Sequence, residues 1–301
     1  MNQLENLATH FVLDRSIATL LAALVAILGC LYWRWYSRFS AKNFDGQFYL
    51  KSDGRVPNPY SLRWLIPGIA RIFGNDIIWH VLSCLSLVIS AALIVNLNVT
   101  PVQGLFAALL FIGLPGLFRV NVFFPVLIDA PAFMFALASM VSFTHNQTGL
   151  GIAFSLLAGA SKESAPIFIM CWTLNPLGGI GIFAAGWWKE KAAVDHPAFL
   201  TPWTDARQQR KGVMTAQTLL YPWGVVAILF LYYVQASSPI IGLAAGLSLL
   251  VGYAQLFRTR DFVRLYQWAY PALIPIVIMV PVRFYPLALG VHYFFNTAKG
   301  V

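Results

Sequence analysis

Ser16 to Trp33 reads SIATLLAALVAILGCLYW, eighteen residues without a charged side chain. A helix crossing the hydrocarbon core of a bilayer needs ~20 predominantly apolar residues. Arg15 and Arg34 bracket the run, and Trp33, Trp35 and Tyr36 beside Arg34 form an aromatic belt with a snorkelling cation. Ahead of it, Glu5 and Asp14 stand against Arg15, so the basic n-region of a cleaved signal is missing and a retained first span is expected.

The rest of the chain has the same character. Of 301 residues, 59% are hydrophobic and 10% charged, where a soluble domain carries about 25% charged residues. This excludes a soluble globular enzyme, a disordered chain and a nucleic-acid-binding module. Lys and Arg number 20 against 11 Asp and Glu, a surplus that reads as membrane-flanking charge facing anionic lipid or phosphate. At this length about eight to ten crossings fit. The expected fold is an all-α polytopic transmembrane helix bundle, one integral-membrane domain over residues 1–301.

Apolar runs are expected to span at 77–97, 104–118 and 126–143. Two shorter runs fill 150–187, spans follow at 214–234 and 239–257, and prolines break 266–296 into one or two helices. RVNVFFP at 119–125 and SKES at 161–164 interrupt the pattern. The glycines of GLGI (149–152) and LGGIGIF (177–183) read as helix-packing contacts or turns. Cys30, Cys84 and Cys171 lie in apolar runs, and neither they nor the five histidines show metal-ligand spacing.

Two polar stretches flank these runs. In 34–76, Leu62, Leu65, Ile66, Ile69 and Ile72 recur at helical spacing with Arg63 and Arg71 on the other face, predicting an amphipathic interfacial helix. Five crossings between 77 and 187 would make 34–76 extracytoplasmic and 187–213 cytoplasmic. Seven Lys and Arg on the outer side then nearly balance eight on the inner one. An outward basic loop needs a reason beyond the positive-inside rule, such as binding phosphate.

Ionisable groups inside apolar sequence are functional candidates. Only Asp129, in VLIDAPAF, and Glu163, with Lys162 beside it, qualify among the acids. Asp129 ahead of Pro131 also fits a helix cap, and Lys162 with Glu163 fits a local ion pair at a helix break. In NFDGQFY, Gly46 lets the backbone turn after Asp45 while Phe44, Phe48 and Tyr49 seat it at the interface; an Asx turn anchored by aromatics is the alternative. The five-crossing topology puts Asp45, Asp129, Lys162 and Glu163 on one membrane face.

This arrangement resembles a small bacterial member of the GT-C superfamily of integral-membrane glycosyltransferases, which take sugars from polyprenyl-phosphate donors. Three matches over residues 16–170 carry the resemblance: the aromatic-Asp-Gly-Gln-Phe-Tyr motif from Phe44 to Tyr49 with the amphipathic segment behind it, Asp-Ala-Pro at Asp129, and the Lys162–Glu163 pair after a short apolar helix. A lone Asp45 stands where many members have two adjacent acids. The resemblance implies Asp45 as general base and Asp129 as a second acid that orients acceptor or metal. It implies Lys162, Arg63 and Arg71, with Glu163, around the donor phosphate. A divalent metal stays open, since its use varies within the superfamily. The implied partners are membrane lipids and a polyprenyl-phosphate-linked sugar, and the implied location is the inner (plasma) membrane. A lipid or sugar transporter or flippase, and a non-catalytic membrane subunit of an envelope assembly, are the alternatives.

The topology has a direct test. Reporter fusions near residues 55 and 205 are expected on opposite sides of the membrane. Both reporters on one side would remove the five-crossing count and the shared face with it.

Overall fold

In the computed structural model of the chain, the described residues are 13–36, 63–73, 77–97, 99–125, 127–185, 223–255 and 266–297. Every regular element among them is helical. The first, α1 (Arg15–Tyr36), is 22 residues long. It buries Ala18, Ala22, Ala26 and Cys30, one residue per turn, and turns Leu20, Leu24, Leu28 and Leu31 outward. A small-residue stripe lets two backbones approach closely, while outward leucines suit lipid rather than water. That stripe packs on α3 (Ile77–Val95) and α4 (Pro101–Ile112).

Between α1 and α3 lies α2 (Leu65–Phe73). Its Ile66 and Ala70 pack with Trp79 of α3 and with Ile128, flanked by Leu65 and Ile69. The amphipathic expectation holds for Leu65, Ile66 and Ile69, and Leu62 lies outside the described residues. Ile72, expected on the same face, is instead 82% exposed, with Phe73 beside it also outward.

Thr100 opens α4 with a capping box: its hydroxyl accepts from the Gln103 amide while its own amide donates to the Gln103 side chain. The expected run 104–118 does not continue straight. The chain bends by 67° between Pro101–Ile112 and Pro115–Phe123, earlier than the RVNVFFP break, because Pro115 clashes with the preceding turn and offers no N–H. Pro115–Arg119 forms a π-turn leading into α5 (Val120–Phe123). The last third of the chain satisfies the freed backbone groups. The Gln267 side chain accepts from the amides of Gly116 and Leu117 at 2.7 and 3.1 Å. Tyr293, His292 and Asn296 donate to the carbonyls of Leu109, Leu110 and Gly113 at 2.8, 2.9 and 2.9 Å.

Next come α6 (Asp129–Thr144) and α7 (Thr148–Ser161), an antiparallel hairpin, then α8 (Ala165–Thr173) after the SKES interruption. The run expected to continue from there stops at Leu174, which takes a left-handed conformation with φ 51°. Pro176–Ala184 follows as a 3₁₀ segment lying against α7. Ser155 fixes it, donating to the Gly178 carbonyl at 2.6 Å and accepting from the Gly181 amide at 3.1 Å. Gly151, Gly178 and Gly181 of the glycine-rich stretches are thus packing contacts, whereas Gly149 faces open space. The described part of the chain closes with α9 (Val225–Tyr233), α10 (Pro239–Gln255), α11 (Tyr270–Val277) and α12 (Tyr285–Thr297). The last two are the broken pair expected over 266–296.

Two helices, α1 and α3, are long and apolar enough to cross a membrane, and a third crossing is possible if the bent 101–123 pair counts as one. Expected spans at 126–143, 214–234 and 239–257 are represented by shorter apolar helices. The described residues are therefore all-α, with helices long and apolar enough to cross a membrane. Full-length spans among the described residues are fewer than eight to ten because bends, prolines and glycine contacts divide the apolar runs.

The seam between α7 and the 3₁₀ segment generates a prediction. A Cβ at Gly181 would lie 2.0 Å from the Ser155 carbonyl oxygen, whereas one at Gly149 meets nothing within 4 Å. Gly181→Ala is expected to cost about 1–3 kcal/mol, as overpacking does. Gly149→Ala should be neutral or slightly stabilising. Thermal unfolding of both variants in one detergent checks the contrast.

Candidate functional site

Asp129 is the first residue of α6 and Lys162 the first after α7. An antiparallel hairpin brings a first residue and a last residue to the same end, so the two meet across 33 positions of sequence. The Lys162 ammonium donates to Asp129 Oδ1, and both side chains are almost wholly buried, at 4% and 3% exposure. The capping reading of Asp129 is corrected here: Ile128 holds the cap position and no side-chain cap bond forms. The carboxylate is instead turned to a cation.

Glu163 does not pair with its neighbour either. The Arg63 guanidinium grips it at two points, Nε to Oε2 at 2.8 Å and Nη2 to Oε1 at 2.9 Å. The expected local Lys162–Glu163 pair is thus replaced by two long-range pairs that share one turn. This second pair is more open, at 14% and 29% exposure. Burial opposes ionisation of Glu163, yet the Arg63 guanidinium and then the Lys162 ammonium hold its carboxyl below the usual carboxylate range. The pair's contribution is present above the ordinary carboxylate pKa and is lost as pH falls through that lowered value.

Arg63 is held in place by the residue after it. The Trp64 indole donates to the Ala184 carbonyl at 3.0 Å, tying the entry of α2 to the end of the 3₁₀ segment. Arg71 lies near the far end of α2, exposed, about 12 Å of helix from Arg63. The structure brings Arg63, Asp129, Lys162 and Glu163 together and leaves Arg71 apart. Asp45 lies outside the described residues, as does all of 187–213. Among the described residues, no three His, Cys, Asp or Glu side chains gather in a way that could hold a metal ion.

An aromatic wall closes the buried pair, and sequence reasoning did not find it. The Lys162 ammonium sits 5.1 Å from the centroid of the Trp268 ring, within cation–π range. Phe133, Phe168 and Trp172 surround Trp268 with centroids 5.3, 5.5 and 6.4 Å away. In a chain this rich in aromatics, Trp268 looks like any packing residue. The Gln267 amide beside it, inside an apolar run, was the available signal.

No protein-family model, no curated protein and no solved structure matches the chain.

The buried pair predicts an asymmetric mutational response. Lys162→Ala leaves the Asp129 carboxylate in the interior without its ammonium and is expected to cost about 3–5 kcal/mol. Replacing both, Asp129→Leu with Lys162→Met, should recover most of that loss, because apolar groups of similar volume need no desolvation. Unfolding of single and double variants in detergent reads the difference directly.

Proposed function

We propose that this chain is a membrane glycosyltransferase that moves a sugar from a polyprenyl-phosphate donor to an envelope glycan, lipid or protein acceptor at the outer face of the plasma membrane. The observation that supports it most is the meeting of Arg63, Glu163, Lys162 and Asp129. Residues from three separate stretches of an apolar chain converge at one end of the α6–α7 hairpin, beside the helix that leads in from the Asp45 loop. Intramembrane charges kept at such cost point to substrate handling.

In this reading the shorter apolar helices complete a polytopic bundle of eight to ten crossings. Asp45, set among Phe44, Phe48 and Tyr49 in the sequence, takes the proton from the acceptor hydroxyl. The acceptor oxygen attacks the anomeric carbon as the bond from that carbon to the phosphate oxygen breaks. The electron pair leaves on the polyprenyl phosphate, and the anomeric configuration inverts. Arg63, just ahead of α2, meets the charge that develops on the phosphate, while Arg71, at the far end of that helix, stands away from it. Asp129 orients through Lys162 rather than touching the acceptor, since both are closed off from the surface.

That closure also favours a second reading. Lys162, assigned to the phosphate by the resemblance, is held by Asp129 and covered by Trp268. A pair so enclosed serves equally in a non-catalytic membrane subunit of an envelope assembly.

Asp45→Asn separates the two. It keeps the side chain's size but cannot accept a proton, so transfer from a polyprenyl-phosphate sugar is expected to fall ~10²–10⁴-fold with insertion and donor binding unchanged. An assay of sugar transfer by purified protein decides the matter. Transfer unaffected by Asp45→Asn, or absent from the parent, would leave the subunit reading in its place.

A further inference from the structure

The two ion pairs at the site differ in one respect that matters for ligands. Lys162–Asp129 is sealed, whereas Arg63–Glu163 opens toward the surface, with Glu163 29% exposed. Glu163 also lies in the turn between α7 and α8, so its side chain can leave Arg63 without unwinding a helix. The neighbouring Lys162, pinned by Asp129, keeps the turn in place meanwhile.

We propose that Glu163 is an internal competitor for a lipid phosphomonoester: it occupies the Arg63 fork until a polyprenyl phosphate headgroup displaces it. The inference rests on the phosphate-lipid reading above and adds the device that sets its selectivity. A guanidinium presents the same two-point fork to a carboxylate and to a phosphate. A phosphodiester headgroup carries one negative charge, as Glu163 does, and gains little by exchanging with it. A phosphomonoester carries about −1.5 to −2 and gains more. Bulk phospholipid is thereby kept off Arg63, while the departing polyprenyl phosphate, whose second charge appears as the sugar leaves, is favoured. The hydrocarbon has a surface to follow: α2, the helix Arg63 introduces, presents Ile72 and Phe73 outward at 82% and 63% exposure.

Binding of farnesyl phosphate to the full chain in detergent tests this, with inorganic phosphate and phosphatidylglycerol as comparison ligands. Glu163→Gln removes the competitor and is expected to tighten farnesyl phosphate by about two- to fivefold, the range of a partly exposed ion pair. On an Arg63→Ala background the same change should do nothing. Glu163→Asp, too short for the fork but still charged, should also tighten binding in the Arg63 protein, and serves if Glu163→Gln fails to fold. Unchanged or weaker binding in a folded Glu163 variant overturns the proposal, as does equal tightening without Arg63. Inorganic phosphate binding as well as farnesyl phosphate overturns its lipid part, and phosphatidylglycerol binding equally well overturns its monoester part. Tightened binding with no sugar transfer would leave this competition standing and remove the transferase reading.

Discussion

The ion pair between Lys162 and Asp129 constrains everything around it. Removing a carboxylate and an ammonium from water costs several kcal/mol each after relaxation, and their attraction offsets this only with close geometry and further partners. The chain supplies both conditions. The α6–α7 hairpin sets the two groups at one end, and the Trp268 ring covers the ammonium. The hairpin must therefore hold its register, since a slip of one turn would separate the charges by about 5 Å.

Register is secured on the far side of α7. Gly159 and Gly181 join that helix to the 3₁₀ segment almost backbone to backbone, Ser155 bonds to both Gly178 and Gly181, and Gly178 also lies against Ile169 and Met170 of α8. The end of that segment accepts the Trp64 indole bond, which places Arg63 over the turn carrying Glu163. One line of contacts thus runs from a helix seam to the open ion pair. Membrane interiors favour this construction: with no hydrophobic force between helices, close packing and polar contacts must hold them.

Part of this was legible in the sequence because charge stands out against apolar background. Asp129, Lys162 and Glu163 were recognisable by their rarity, and Arg63 by its place before an amphipathic stretch. The pairing was not legible. Adjacent residues of opposite sign suggest a local contact, and only the antiparallel return of α7 shows that each has a distant partner. The helical class followed from composition, but the lengths of individual helices did not. Pro115 and Asn175–Pro176 divide runs that hydropathy alone joins, and Ile72 lies beyond the surface it was expected to meet.

The bend after α4 has a consequence for how this protein is made. Its two unsatisfied amides, at Gly116 and Leu117, wait for a side chain 150 positions further along, and the carbonyls before it wait for residues further still. Synthesis proceeds from the N-terminus at ~5–20 residues per second, so for roughly eight to thirty seconds the bent segment is in the nascent chain without its partners. During that interval the Pro115 bend stands with these backbone groups still open to other partners. The arrival of Gln267 and then of α12 closes them. A chain interrupted before residue 267 would keep its first spans and leave these amides and carbonyls without those partners. Biogenesis is thereby given a late step, completed by Gln267 together with His292, Tyr293 and Asn296.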